Sequence, residues 1–122
     1  MMGGMGDLTV QQVYLAYGPT DMRKSIDGLA AVVQISFRLD PFAPAVFVFC
    51  NRQRDKLKIL YWEQNGFWLL YRRLERGHFD WPKTAENGAT CKISLRQLRW
   101  LLDGLPLDQR HAHAPVRARS VV

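Results

Sequence analysis

The chain has 122 residues, the length of one ordinary domain, and 48% of them are hydrophobic, enough for a packed core and too many for wholesale disorder. Lys and Arg number 17 against 11 Asp and Glu, and the resulting formal charge of +6 favours a polyanionic partner, nucleic acid or an anionic surface. Cys50 and Cys91 alone exclude a disulfide framework and a zinc site, and no run approaches the roughly 20 apolar residues that a spanning helix needs. The start, "MMGGMGDLTV", has neither a basic n-region nor an apolar core, so it does not read as a secretory leader and a cytoplasmic location is expected.

In chain order, residues 1–9 are rich in Met and Gly and are expected to be flexible. "QVYLAYG" (12–18) is short, β-branched and aromatic, and predicts a strand broken by Gly18-Pro19. Thr20 or Asp21 can then N-cap a helix in which Met22, Ile26, Leu29, Ala30, Val33 and Phe37 recur at steps of three and four. "AVFVFC" (45–50) is apolar on both faces, as a central strand is. "KLKILYWE" (56–63) and "FWLLYRRL" (67–74) flank Asn65-Gly66, which predicts a hairpin with those two residues at its corner, Trp62 opposite Leu69 and Lys58 opposite Arg73. "HFDWP" (78–82) predicts a short edge strand, because Pro82 cannot donate to a ladder, and a second turn falls at Asn87-Gly88. The stretch 93–104 carries a capping box, Ser94 with Gln97, an apolar stripe of Leu95, Leu98, Leu101 and Leu102, and Gly104 at the C′ position. The expected fold is α+β: a small antiparallel sheet of four or five strands, a meander, packed on one side against two amphipathic helices. Residues 10–106 make one domain and 107–122 a mobile tail.

Arg52, Arg54, Lys56 and Lys58 occupy every second position, which on a regular strand lines one face with cations. A bulge at 51–55 would break that parity. Arg72, Arg73 and Arg76 add cations near the same end, and Arg23 and Lys24 form a second basic spot at the first helix start. Such a surface either guards strand edges against aggregation or tracks phosphates. Trp62, Phe67 and Tyr71 fall on the same hairpin face and serve as core or, if exposed, as a stacking platform.

Chemistry is sparse. There is no glycine-rich phosphate loop, no HExxH and no CxxC. Asp21, Asp27, Asp40, Asp55, Asp80 and Asp103 lack a spacing that fixes a metal. His78 stands alone after a turn, His111 and His113 sit in the tail as "HAH", and Ser25 and Ser94 have no evident base. The residues predict no catalytic centre, no cofactor and no metal.

Three blocks, "GPTDMRKSIDGLA" (18–30), "FVFCNRQRDKLKILYWEQNGFWLLYRRLERGHFDWP" (47–82) and "ISLRQLRWLLDGL" (93–105), together resemble the TnpB accessory proteins of the sixty-six family of bacterial insertion sequences. The matching positions are Asp21 to Lys24; Arg52, Asp55, Leu57 and Lys58; Gly66; Arg73 to Glu75; and Gly77, Phe79, Trp81 and Pro82. Cys50 and Arg72 depart from the usual residues at their positions, and the tail lies outside the likeness. The resemblance implies a small protein encoded beside a separate transposase and needed for, or helpful to, transposition, with no established catalytic residues; the RNA-guided nuclease of the same name is several times longer and carries a carboxylate triad. The expected function is therefore DNA binding at the element ends through the basic hairpin, by Arg52, Arg54, Lys56, Lys58, Arg72, Arg73 and Arg76 with Arg23 and Lys24. The alternative is an adaptor that docks on the transposase or its partner subunit without touching DNA. Either is compatible with a homo-oligomer, and neither involves a membrane.

Overall fold

The computed structural model of the protein describes residues 12–83 and 88–107. The predicted flexible start, the turn residue Asn87 and the tail with His111 and His113 lie outside the described residues. Five strands form one sheet: β1 (Gln12–Ala16), β2 (Ala45–Cys50), β3 (Lys56–Glu63), β4 (Gly66–Arg73) and β5 (Thr90–Ile93), in the order β4-β3-β2-β1-β5. Two α-helices complete the fold, α1 (Ile26–Ala31), which continues as a π-helix over Val32–Ser36, and α2 (Leu95–Leu102).

The α+β class holds, but the sheet is not a meander. β1 and β2 pair in parallel, Val13 beside Val46 and Leu15 beside Val48, while the other pairs are antiparallel. The segment between β1 and β2 carries α1, and a crossover of that length is what lets consecutive strands run the same way. β5, not "HFDWP", supplies the fifth strand, pairing antiparallel with β1. Residues 78–83 have no strand; instead Phe79 and Trp81 turn inward and are buried.

The helices lie on opposite faces rather than on one. Alternation along β2 explains why. Val46, Val48 and Cys50 pack with Leu98 and Leu101 of α2 and with Phe79 and Trp81. Ala45, Phe47 and Phe49 pack with Leu29 and Val33 of the first helix. Every residue of β2 is buried, the pattern of a strand covered on both sides.

Local signals set the helix ends. α1 begins later than its apolar spacing predicts, because Asp21 spends its capping capacity on a tight turn: Arg23 N donates to Asp21 Oδ1 (2.9 Å) and Lys24 N to the Asp21 carbonyl (3.1 Å). α2 is bracketed at both ends. Gln97 N donates to Ser94 Oγ and Ser94 N to Gln97 Oε1, the reciprocal capping box. At its C-terminus Gly104 takes φ +78°, Gly104 N donates to Leu101 O and Leu105 N to Trp100 O, a Schellman closure.

The hairpin corner is Gln64-Asn65, one residue earlier than predicted, with Gln64 at φ +57° and Glu63 opposite Gly66. Lys58 therefore faces Tyr71 and Lys56 faces Arg73. One contact favours this register: the Trp62 and Phe67 side chains are directly opposite and their rings meet edge-on at 5.0 Å.

Candidate functional site

Because β1 and β2 run parallel, both finish at the same end of the sheet, where β3 begins and β4 finishes. Three connections converge there: residues 17–25, 51–55 and 74–79. This is the edge at which open sheets containing parallel strands most often present ligands.

Asn51 organises the end. It is only 8% exposed, and its side-chain oxygen accepts from the backbone N–H groups of Asp55 and Lys56, both at 3.0 Å. Its amide donates to Asp55 Oδ1 (2.7 Å) and Gln53 Oε1 (3.3 Å). The loop so folded holds its neighbours. Thr20 N donates to Cys50 O, Leu74 N to Asp55 O and Phe79 N to Arg54 O. His78 Nδ1 lies 2.8 Å from the Gln53 carbonyl, which can only accept, so Nδ1 carries the proton. Arg54 sits at φ +64°, a conformation that costs a non-glycine residue about 1 kcal/mol or more and that these bonds hold in place. Between the first two connections opens a cleft of about 480 Å³, lined by Pro19, Thr20, Asp21, Met22, Asn51, Arg52, Gln53 and Lys56.

The cations divide by role. Lys58 turns inward: its ammonium donates to the carbonyls of Met22 and Lys24, each at 2.7 Å, tying the first connection to the hairpin. Lys58→Met keeps the aliphatic stem and removes both bonds. We expect it to cost about 2 kcal/mol in denaturant unfolding and to shift the amide resonances of residues 20–25.

Arg72 points to the other face, where its Nε donates to Leu102 O at the end of α2 (3.1 Å). Arg52 and Arg54 lie in the connection before β3, so the regular four-cation stripe does not exist; the turn at 51–55 breaks its parity. Arg23 pairs with Asp21 (2.8 Å), Arg73 with Glu75 (2.8 Å) and Lys56 more loosely with Asp55 (3.7 Å). Among the described residues no carboxylate forms a salt bridge with Lys24, Arg52, Arg54 or Arg76. All nine predicted cations thus lie in the three connections or in the adjoining ends of β3 and β4, with Arg72 alone turned to the α2 face, in the same segments as Asp21, Asp55 and Glu75.

The carboxylates bear the mark of that setting. Hydrogen bonds from Arg23 hold Asp21 down to about 2 from an ordinary 3.8, and the Asn51 amide lowers Asp55. A depressed carboxylate favours the folded connection above its ordinary value and loses that contribution as pH falls through the folded one. The expected result is a carboxyl-carbon NMR titration of Asp21 with its midpoint near 2, accompanied by loosening of residues 21–24 below about pH 4.

The aromatics sit elsewhere. Trp62 and Phe67 are half-buried with Phe42 near the hairpin corner, at the far end from the cations, whereas Tyr71 is 53% exposed beside Lys58. No group of three or more His, Cys, Asp or Glu among the described residues could hold a metal ion. No helix among them is long and apolar enough to cross a membrane. Sequence reasoning missed Asn51, Thr20 and Gln53 as parts of the end. The available signal was an Asn directly after a buried strand with Asp four residues on, the spacing of a side-chain-closed turn.

The molecule is thus a small layered α+β domain whose distinguishing feature is a polar, strongly basic loop end. The chain belongs to the IS66 Orf2-like family, whose model matches residues 11–112, and that membership associates it with the transposition machinery of IS66 insertion sequences. It is similar to the uncharacterized protein y4hO of Sinorhizobium fredii, 40% identical over 110 residues covering 90% of this chain and 92% of that one. It is also similar to the uncharacterized protein y4jC of the same organism, 34% identical over 94 residues covering 77% and 79% of the two chains. No solved structure matches.

Proposed function

We propose that the protein is a non-catalytic accessory factor in transposition that grips DNA phosphates with the loop end of its sheet. The observation that supports this reading is that Lys24, Arg52, Arg54 and Arg76, which lie in the three connections at one end of the sheet, have no salt-bridge partners among the described residues, and that Arg52 and Lys56 line the cleft between two of those connections. Phosphate contacts of this kind position a protein on a duplex without reading sequence. The connections are cross-tied by Asn51 and Lys58, so ordering cost at binding is low. Binding of a terminal-repeat duplex, followed by fluorescence anisotropy, should weaken steeply with salt. With about 6 phosphates neutralised, log affinity falls against log salt with a slope near −5. Absence of binding at about 50–100 mM salt sinks the reading.

A second reading has its own observation. Phe42 is 54% exposed and meets Trp62 edge-on and Phe67 at a tilt, an aromatic cluster away from the cations and a surface suited to a protein partner. An adaptor docking on the transposase through that cluster keeps its association after nuclease treatment, and a DNA-bridged complex loses it.

A further inference from the structure

The β4 edge of the sheet carries a pattern that the DNA-binding reading does not use. β4 is the outermost strand, and among the described residues β3 is its one ladder partner. It is eight residues long, and Trp68 and Tyr71 are 37% and 53% exposed on its two faces. A long apolar edge of this kind is an invitation to another strand.

The ladder fixes which groups face outward. Leu74 N donates to Asp55 O, its opposite residue when the β3–β4 register is continued. Hydrogen-bonded pairs alternate with non-bonded ones in an antiparallel ladder. Gly66, Trp68, Leu70 and Arg72 therefore spend their backbone groups on β3, while Phe67, Leu69, Tyr71 and Arg73 direct theirs to the open edge.

The strand is also polar along its length, with aromatic residues at its start and two arginines at its end. A strand pairing in the same direction and register would set Arg72 and Arg73 against their own kind, and like charges directly opposite are destabilising. Antiparallel pairing with an identical strand does the reverse. One register uses every outward group from Phe67 to Arg73. It is centred on Leu70, with Leu69 bonded to Tyr71 and Phe67 to Arg73 of the other strand. In that register Trp68 faces Arg72, and Phe67 faces Arg73, so each guanidinium meets an aromatic ring instead of another cation.

We propose that the protein forms a two-fold dimer in which β4 pairs with β4 of a second copy, antiparallel and centred on Leu70, to give one continuous sheet across both molecules. The interface is isologous, as two-fold symmetry demands. It leaves the cation-rich loop ends at opposite ends of the joined strands.

The test is sedimentation velocity on the full chain, from micromolar to submillimolar concentration, with a disulfide probe of register. On the two-fold axis the two copies of residue 70 form a non-hydrogen-bonded pair with Cα atoms about 4.5 Å apart, within disulfide reach. In a Cys91→Ser background, with Cys50 fully buried, Leu70→Cys should give a covalent dimer on mild oxidation and Trp68→Cys should not. Tyr71→Pro removes an outward N–H that β3 does not use, so the monomer should retain its melting transition while self-association weakens about tenfold or more. If that variant fails to fold, the cysteine pair decides alone. A monomer at every concentration, or equal cross-linking through residue 68, overturns the proposal. Monomers that capture an unrelated extended peptide on the edge overturn it in favour of strand donation by a partner.

Discussion

Trp81→Ala is expected to be the most damaging single truncation in the chain, costing about 3–5 kcal/mol. For a domain of this size that lowers the melting temperature by roughly 15–25 °C or prevents folding. The ring is 4% exposed, although it lies in a segment without regular structure. It packs with Leu98 and Leu101 beneath α2, and its Nε1 donates to the Ala16 carbonyl at 2.7 Å. It therefore anchors the long connection after β4 to the exit of β1, one of the strand ends that build the candidate site. Trp81→Phe separates the two contributions. It keeps most of the volume but leaves the Ala16 carbonyl without its donor, so a loss of about 1–2 kcal/mol is expected in urea unfolding. Equal losses for the two variants would mean that the buried ring contributes nothing beyond its hydrogen bond, which contradicts its packing role beneath α2.

Asn51→Ala is expected to cost about 2–4 kcal/mol, because it removes a side chain only 8% exposed that accepts from two backbone N–H groups and thereby closes the turn. The loss should be accompanied by altered amide resonances through residues 51–56 and 74–79, since Leu74 and Phe79 bond to this turn. Asn51→Asp is the informative companion. Its carboxylate still accepts from the two N–H groups but confronts Asp55 where the amide had donated at 2.7 Å. One of the two carboxyls must then be raised in the folded state. A raised group contributes more stability as protons are supplied, so this variant should gain stability relative to wild type as pH falls from 7 towards the carboxylate range. A parallel pH dependence for variant and wild type contradicts the geometry.

These two residues show how far the sequence reaches. The α2 boundaries were legible because their signals are local: Ser94, Gln97 and Gly104 close their bonds within a few residues. The two-sided burial of β2 was legible from six consecutive apolar residues. The hairpin was legible, but its corner was not, because the Asn-Gly signal competes with the direct pairing of Trp62 with Phe67, which Gln64 accommodates at positive φ.

The parallel β1–β2 pair was missed, and with it the placement of the helices on opposite faces. Antiparallel order was read from tight turns, but only β2–β3 and β3–β4 are joined that way. That omission also hid the site. The cations are visible one by one in the sequence. Their common location follows only from which strand ends coincide, and period-two counting along 52–58 could not supply it once the strand began at Lys56. Lys58 illustrates the cost of such counting, since its charge is turned to the carbonyls of Met22 and Lys24.

On the proposed function these connections form one phosphate-gripping surface. Amide NMR of the uniformly labelled protein during titration with a short duplex at low salt tests it residue by residue. Shifts confined to residues 18–25, 51–56 and 74–79, fading as salt is raised, are expected, with Trp62, Phe67 and the Arg72–Leu102 contact undisturbed. Shifts centred on the aromatic cluster around Phe42 or spread evenly over the cations of both faces, or none at all, would contradict it.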